Sequence, residues 1–328
     1  MACHQIATNV DDAGLNVMNT QPSDFGEVRT RVLVIFPGAL GDLICLIPAL
    51  RALGRRHRGA SIELMAREAI ARFAVGRTGV ERGHSIDRRE VSLLFAESDD
   101  AAGARKFFGG FQRIYSFFTT GDRRFRESLT AAASDAEVSF HSFRPDAAGH
   151  IAAAYLRALG EPSDAIESRL DLLPQDREAA SRRLDAAGLS AGGFALLIPG
   201  SGSAYKNWPA PRFVELAERL RPRTPVAVVL GPAESHLEAF FAARAPAVLA
   251  GLELGELAGI AATATVFIGN DSGVSHLAGA SGAPGIAIFG PTDPERWRPP
   301  GRVRVLRRRP LDALGVAEVA GPALEMLA

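Results

Sequence analysis

The chain has 328 residues, 37 basic and 37 acidic, so its formal charge cancels, and 47% of it is hydrophobic against 23% charged. At roughly 150 residues per domain that is about two domains, each able to bury a core without disulfide or metal staples. The balance excludes a largely disordered chain and the strongly basic footprint of a nucleic-acid binder.

Residues 1–30 lack both a basic start and an apolar core, so they read as a disordered extension rather than a signal peptide. No run of about 18 apolar residues marks a membrane-spanning helix. The two cysteines, Cys3 and Cys45, form neither a disulfide framework nor a zinc set, which fits a reducing cytoplasm.

Arg31 to Phe36 is a short β-branched run closed by Pro37-Gly38, the pattern of a buried parallel strand. Asp42 to Arg56 carries leucines and isoleucine at helical spacing, with Pro48 predicting a kink or a loosened first turn. Ser61 to Met65 is a second strand. Between Glu68 and Arg144 the pattern is hard to parse, and the cluster Phe107, Phe108, Phe111, Tyr115, Phe117 and Phe118 reads as core. Ile151 to Leu159 is a helix stopped by Gly160.

A second unit begins near residue 176. Arg177–Ala187 reads as helix, 194–198 as strand, 210–220 as helix and 226–230 as strand. A helix over 234–243 follows, then 256–262 as helix, 265–268 as strand, 274–281 as helix and 285–289 as strand. Short glycine-rich joins sit at the strand C-termini, where parallel α/β sheets bind ligands. Two Rossmann-like α/β domains facing a cleft are therefore expected, over 31–175 and 176–328. Arg307-Arg308-Arg309 reads as a solvated charge run.

Three loops carry candidate chemistry. Pro37-Gly38-Ala39-Leu40-Gly41-Asp42 places a carboxylate at a helix N-terminus, suited to capping or to a role in a cleft. The loop is neither a GxGxxG fingerprint nor a Walker loop, which weakens a hydride-transfer reading. The second loop, Pro199 to Pro209, combines Gly200, Ser201, Gly202 and Ser203 with Lys206. Only Lys106 and Lys206 are lysines in a chain whose other thirty-five basic residues are arginines. A compact ammonium in a Gly/Ser loop suits an anion, although a surface loop around a packed Trp208 is the plainer alternative. The third loop, Gly269-Asn270-Asp271-Ser272-Gly273, runs from strand into helix and forms a phosphate-type N-terminus. Asp271 there suits capping or hydrogen bonding to ligand hydroxyls, and His276 suits either the site or the core. Gly290-Pro291-Thr292-Asp293-Pro294 adds a neighbouring loop. Together the loops outline a cradle for a nucleotide diphosphate joined to a polar group.

Four stretches occur in order: Gly41-Asp42…Pro48-Ala49-Leu50, Pro199-Gly200-Ser201…Lys206-Asn207-Trp208-Pro209, Asp271 to Ala278, and Phe289 to Pro294. As an ordered set they resemble the bacterial ADP-heptose:lipopolysaccharide heptosyltransferases, glycosyltransferase family nine. The resemblance implies the two-Rossmann GT-B fold and inverting transfer of a sugar, heptose from ADP-heptose, to a lipopolysaccharide-type or other glycan acceptor. That acceptor, free or lipid-linked, would be met in the cytoplasm or at the inner face of a membrane. By the same resemblance Asp42 is the general base and Lys206 serves the donor phosphates. Gly41, Ser201, Asp271, Ser272, Gly273 and His276 join the donor site, and Glu234 resembles the acid that holds the nucleoside. Gly202 departs from the pattern, standing where several members carry a second hydroxyl.

No Asp-x-Asp occurs anywhere, so the donor site is expected to need no metal, and no cofactor or nucleic-acid partner is implied. Arg55, Arg56 and Arg58, or Arg123, Arg124 and Arg126, are candidates for an anionic acceptor, with ordinary surface charge the alternative. A non-catalytic nucleotide-sugar-binding protein and a nucleotide-sugar epimerase on a similar fold are the rival readings.

Overall fold

The computed structural model describes residues 29–96, 101–163, 166–244 and 247–328. The expected disordered extension falls, but for its last two residues, outside that set, as does Cys3. The chain forms two parallel sheets. The first holds β1 (Arg31–Ile35), β2 (Ser61–Ala66), β3 (Arg82–Ser85), β4 (Arg113–Ser116) and β5 (Glu137–Phe140), in the order β3-β2-β1-β4-β5. The second holds β6 (Ala195–Ile198), β7 (Val226–Leu230), β8 (Ala247–Ala250), β9 (Val266–Asn270), β10 (Gly285–Phe289) and β11 (Val303–Arg307), in the order β11-β10-β9-β6-β7-β8. Strands such as β1, β6 and β9 are apolar on both faces because helices cover both sides of each sheet.

Strand order fixes where a ligand can enter. In the first sheet the chain reverses direction between β1 and β4, and in the second between β6 and β9. At such a switch point the loops leaving neighbouring strands part to opposite faces and open a crevice beyond the strand C-termini. The loops after β1, β6 and β9 are the three that the sequence marks for chemistry.

One apolar core runs through the junction of the two sheets. It joins Val32, Val34 and the Leu40–Arg56 helix to Leu257, Ile260, Leu277 and Ala278 of the second half. Two further cores lie under the outer faces, one on each sheet. The aromatic cluster is packed as expected: Phe108, Phe111, Tyr115 and Phe117 are buried. The unparsed stretch 68–144 yields three short strands and several short helices. Its strands are four residues each, too short for a periodic signal.

The Leu40–Arg56 helix runs on through Pro48. One local expectation is corrected. The expected helix over 234–243 is a 3-10 turn, Pro232–Leu237, followed by a short helix, Glu238–Ala242. The triple arginine is exposed, as expected, and is also partnered. Arg307 closes β11, Arg308 pairs with Glu318, and Arg309 donates to the Gly290 and Pro291 carbonyls. A C-terminal helix, Val316–Leu327, covers β9 and β10; its apolar spacing was not read from the sequence.

Candidate active site

Asp42 is the third residue of the Leu40–Arg56 helix. Its Oδ2 accepts the Ala39 N–H at 3.0 Å, so it does cap the helix. Its Oδ1 lies 3.7 Å from the Arg144 guanidinium. Burial pushes the Asp42 carboxyl above its ordinary range, opposed by the Ala39 N–H and by the cations Arg144, Arg67 and Lys206. The helix end alone leads one to expect the reverse, and desolvation wins. A buried carboxylate of this kind holds a proton more tightly than a solvated one, which is what a general base needs.

The loop after β6 is tied down at both ends by one buried side chain. Asn270 Nδ2 donates to the Pro199 carbonyl at 2.6 Å, and its Oδ1 accepts the Trp208 N–H at 3.0 Å. The Trp208 indole is buried and donates to the Leu314 carbonyl at 2.9 Å. The loop is thus anchored at both ends around a packed Trp208, while Gly202 and Tyr205 between them stay exposed. Within the loop, Ser201 Oγ donates to the Ser203 carbonyl at 2.8 Å. Lys206 Nζ reaches both the main-chain carbonyl and Oδ2 of Asp271, each at 3.2 Å. That same Oδ2 accepts the Thr292 hydroxyl at 2.7 Å.

Asp271 is thus not the cap of the Gly273–Ala280 helix. Ser272 is, accepting the Ser275 N–H at 3.2 Å. The side chain of Asp271 is drawn away by Lys206 and Thr292, and a hydroxyl takes the cap instead.

Two glycines let the halves meet. A Cβ on Gly273 would stand 3.0 Å from the Gly41 nitrogen, and one on Gly41 would stand 3.4 Å from the Gly273 Cα. The N-termini of two long-range helices therefore converge, each bringing the positive end of its dipole to the same space. His276, buried one turn along, has Nδ1 3.7 Å from Cys45 Sγ across this junction. Burial pushes its pKa down, so the ring is neutral near pH 7. Glu234 Oε2 accepts the Gly231 N–H at 3.1 Å. Its carboxyl lies where only a glycine fits at 200, since a Cβ there would come within 2.3 Å of the Glu234 Cδ.

These residues line one cavity of about 610 Å³. Asp42, Lys206, Gly41, Ser201, Glu234, Asp271, Ser272, Gly273 and His276 are all in its wall. So are Arg144, Tyr205, Thr292 and Trp297, which the sequence reading did not select. Thr292 lay in a loop already noted, and Arg144 lay in the unparsed stretch with no signal to mark it. Asn270 sat beside Asp271 in the noted loop, yet its tying role needs the fold to be seen. A slightly larger cavity, about 690 Å³, is lined by Arg72, Arg77 and Arg183. Three of its arginines face Glu253, Asp176 and Glu256. Among the described residues no three His, Cys, Asp or Glu side chains gather as the ligands of a cation.

The Arg55–Arg58 set is not near this cavity. Arg56 is fourteen residues along the helix from Asp42, about 21 Å at 1.5 Å per residue, and pairs with Glu161. Arg123 to Arg126, by contrast, follow the C-terminal end of β4, the edge on which the Asp42 loop also lies.

Comparison with known proteins bears on the family and the fold. The model of glycosyltransferase family 9 (heptosyltransferase) matches residues 145–309, half of the chain. Lipopolysaccharide heptosyltransferase 3 of Escherichia coli is 30% identical over 152 residues, a match spanning 44% of this chain and 44% of that protein. Two solved structures share the fold. A family 9 glycosyl transferase of Veillonella parvula superposes with TM-score 0.75 at 20% identity, covering 91% of this chain and 97% of that one. The E. coli ADP-heptose LPS heptosyltransferase II does so with TM-score 0.71 at 19% identity, covering 91% and 98%. Two parallel α/β units over a cleft are common to all three structures, the expected GT-B arrangement.

Proposed function

This chain belongs to glycosyltransferase family 9 (heptosyltransferase), and we propose that it is an inverting transferase that moves heptose from ADP-heptose to an anionic, lipopolysaccharide-type glycan. One observation carries the reading. Three loops from two sheets bring Asp42, Lys206, Asp271 and two helix N-termini to one cavity.

The acceptor hydroxyl approaches the anomeric carbon from the first sheet's side, where Asp42 takes its proton as the new C–O bond forms. The bond from that carbon to the diphosphate breaks on the opposite face, which inverts the configuration. Negative charge then grows on the departing diphosphate. The Lys206 ammonium and the N-terminus of the Gly273–Ala280 helix stand on the side where it leaves. Neither needs to move far, so the charge meets dipoles already set. Asp271, held by Lys206 and Thr292, faces the sugar hydroxyls, and Glu234 faces the nucleoside. No step in this scheme requires a divalent metal.

Arg123, Arg124 and Arg126 at the first sheet's edge form the acceptor's electrostatic approach. No helix among the described residues is long and apolar enough to cross a membrane. A lipid-linked acceptor would on this reading be met at the inner membrane face.

A thermal-shift screen tests the donor: ADP-heptose is expected to raise Tm more than ADP-, UDP- or GDP-hexoses. Transfer in excess EDTA is expected to proceed at the untreated rate. A larger shift with a uridine or guanosine donor would overturn the donor assignment. Turnover lost in EDTA and restored by magnesium would overturn the metal-free scheme.

A further inference from the structure

Arg144 enters the cavity from the segment after β5. Its guanidinium lies 5.2 Å from the Phe143 ring centroid and 5.4 Å from that of Trp297. The first ring belongs to its own side of the cleft, the second to the other. The segment that carries it is clasped from both halves. Arg296 donates to the carbonyls of Pro145 and Ala147, and His150 Nε2 lies 3.0 Å from the Arg298 carbonyl oxygen. Phe143 packs edge-on against Phe36, at 5.4 Å, and its carbonyl accepts the Tyr155 hydroxyl at 3.0 Å. An arginine on a surface segment is ordinarily free to sweep through solvent. This one is held between two rings, with one charge in front of it.

We infer that Arg144 is a positioning residue for the general base: its guanidinium keeps the Asp42 carboxylate ionised and its Oδ1 oriented in the cavity. The inference rests on the reading of Asp42 as the base.

The groups around Asp42 support it. From its own helix come the Ala39 N–H and the buried thiol of Cys45; from the helix Ile151–Ala158 comes the Tyr155 phenol. Burial pushes both Cys45 and Tyr155 upward, so neither carries charge at neutral pH. Three cations face the carboxyl, from three different segments: Arg144, Arg67 and Lys206. Lys206 is already engaged by Asp271, whose own charge it answers. Arg144 acts most strongly of the three. The strength of its contact also suits a base. A bidentate pair at 2.8 Å would hold the carboxylate so low that it could scarcely accept a proton. A single approach at 3.7 Å by a guanidinium 60% exposed is screened, and offsets burial only in part. The carboxylate stays charged yet remains basic.

Titration of the carboxyl tests this without relying on turnover. In protein labelled with 13C at the aspartate carboxyls, the Asp42 signal is the one lost in Asp42→Asn. In Arg144→Gln its midpoint is expected to move to higher pH, because removing a cation favours the protonated form. Arg144→Lys should return most of that shift. The acidic limb of kcat/KM should follow the same order, with the loss of rate greatest at low pH. Arg144 is exposed enough for all three variants to fold, which their Tm would verify. An unmoved midpoint in Arg144→Gln, or a loss of rate equal at every pH, would overturn the role of Arg144 and leave the base reading intact. Near-wild-type turnover by Asp42→Asn would overturn the base reading, and the positioning role with it, wherever the midpoint fell.

Discussion

The two walls of the cavity are built to different standards of rigidity. On the second sheet's side, Asn270 uses both ends of its amide, Trp208 is buried, Ser272 caps its helix and Thr292 holds Asp271. On the first sheet's side, Asp42 has one main-chain bond and one cation at 3.7 Å. On the proposed reading the difference follows from what each wall must meet. A diphosphate leaving group has fixed geometry and rewards donors set in advance, since no reorganisation is then needed as charge develops. A glycan acceptor arrives by diffusion, and long-range attraction to surface cations suffices to steer it.

Three substitutions would break or sharpen that contrast. The largest effect is expected on the first wall. Asp42→Asn keeps the size and part of the cap, so Tm should change little, while kcat falls by about 10²–10⁴-fold, the usual share of a general base. Donor Kd, set by the opposite wall, should stay near wild type. If Asp42 only capped its helix, turnover would survive and Asp42→Ala would lower Tm instead.

Lys206→Ala should weaken donor binding or slow transfer by about tenfold or more, which is about 1.4 kcal/mol. It also leaves Asp271 without its cation, so Lys206→Arg is expected to rescue only in part: a planar guanidinium does not match an ammonium bound to two oxygens of one residue. Isothermal titration with the donor separates the binding loss from the rate loss.

Asn270→Ala acts on rigidity itself. It strips the Trp208 N–H and the Pro199 carbonyl of their buried partner, an expected loss of about 1–3 kcal/mol of stability by denaturant melt. The freed loop should also raise the donor KM with a smaller change in kcat. Were the donor KM to stay unchanged in a folded Asn270→Ala protein, the second wall would not owe its order to this residue.

Much of this molecule was legible in order along the chain. Apolar runs closed by Pro-Gly or Gly-Pro located β1, β6, β7 and β10 to within a residue or two, because a strand covered on both faces must be apolar throughout. Lys206 stood out against arginines, and the ordered motifs named eight residues of the cavity wall, with Glu234 matched separately, before the fold was seen. Local chemistry marked those loops: glycine turns, hydroxyls and helix starts are the composition that suits an anion.

What the tertiary structure decided is everything that depends on neighbours distant in sequence. Whether Asp271 caps its helix turned on Lys206 and Thr292, 65 and 21 residues away. The proton affinity of Asp42 turned on burial, which raised it against the favourable helix end. Arg144 had no motif to mark it, since its place beside Asp42 is set by Trp297 and Arg296 from the other half of the chain. The meeting of the two helices at Gly41 and Gly273 likewise has no trace in either loop alone. Periodicity and turn residues encode what a segment does with its own backbone, whereas desolvation and charge pairing are set by whatever the fold brings against it.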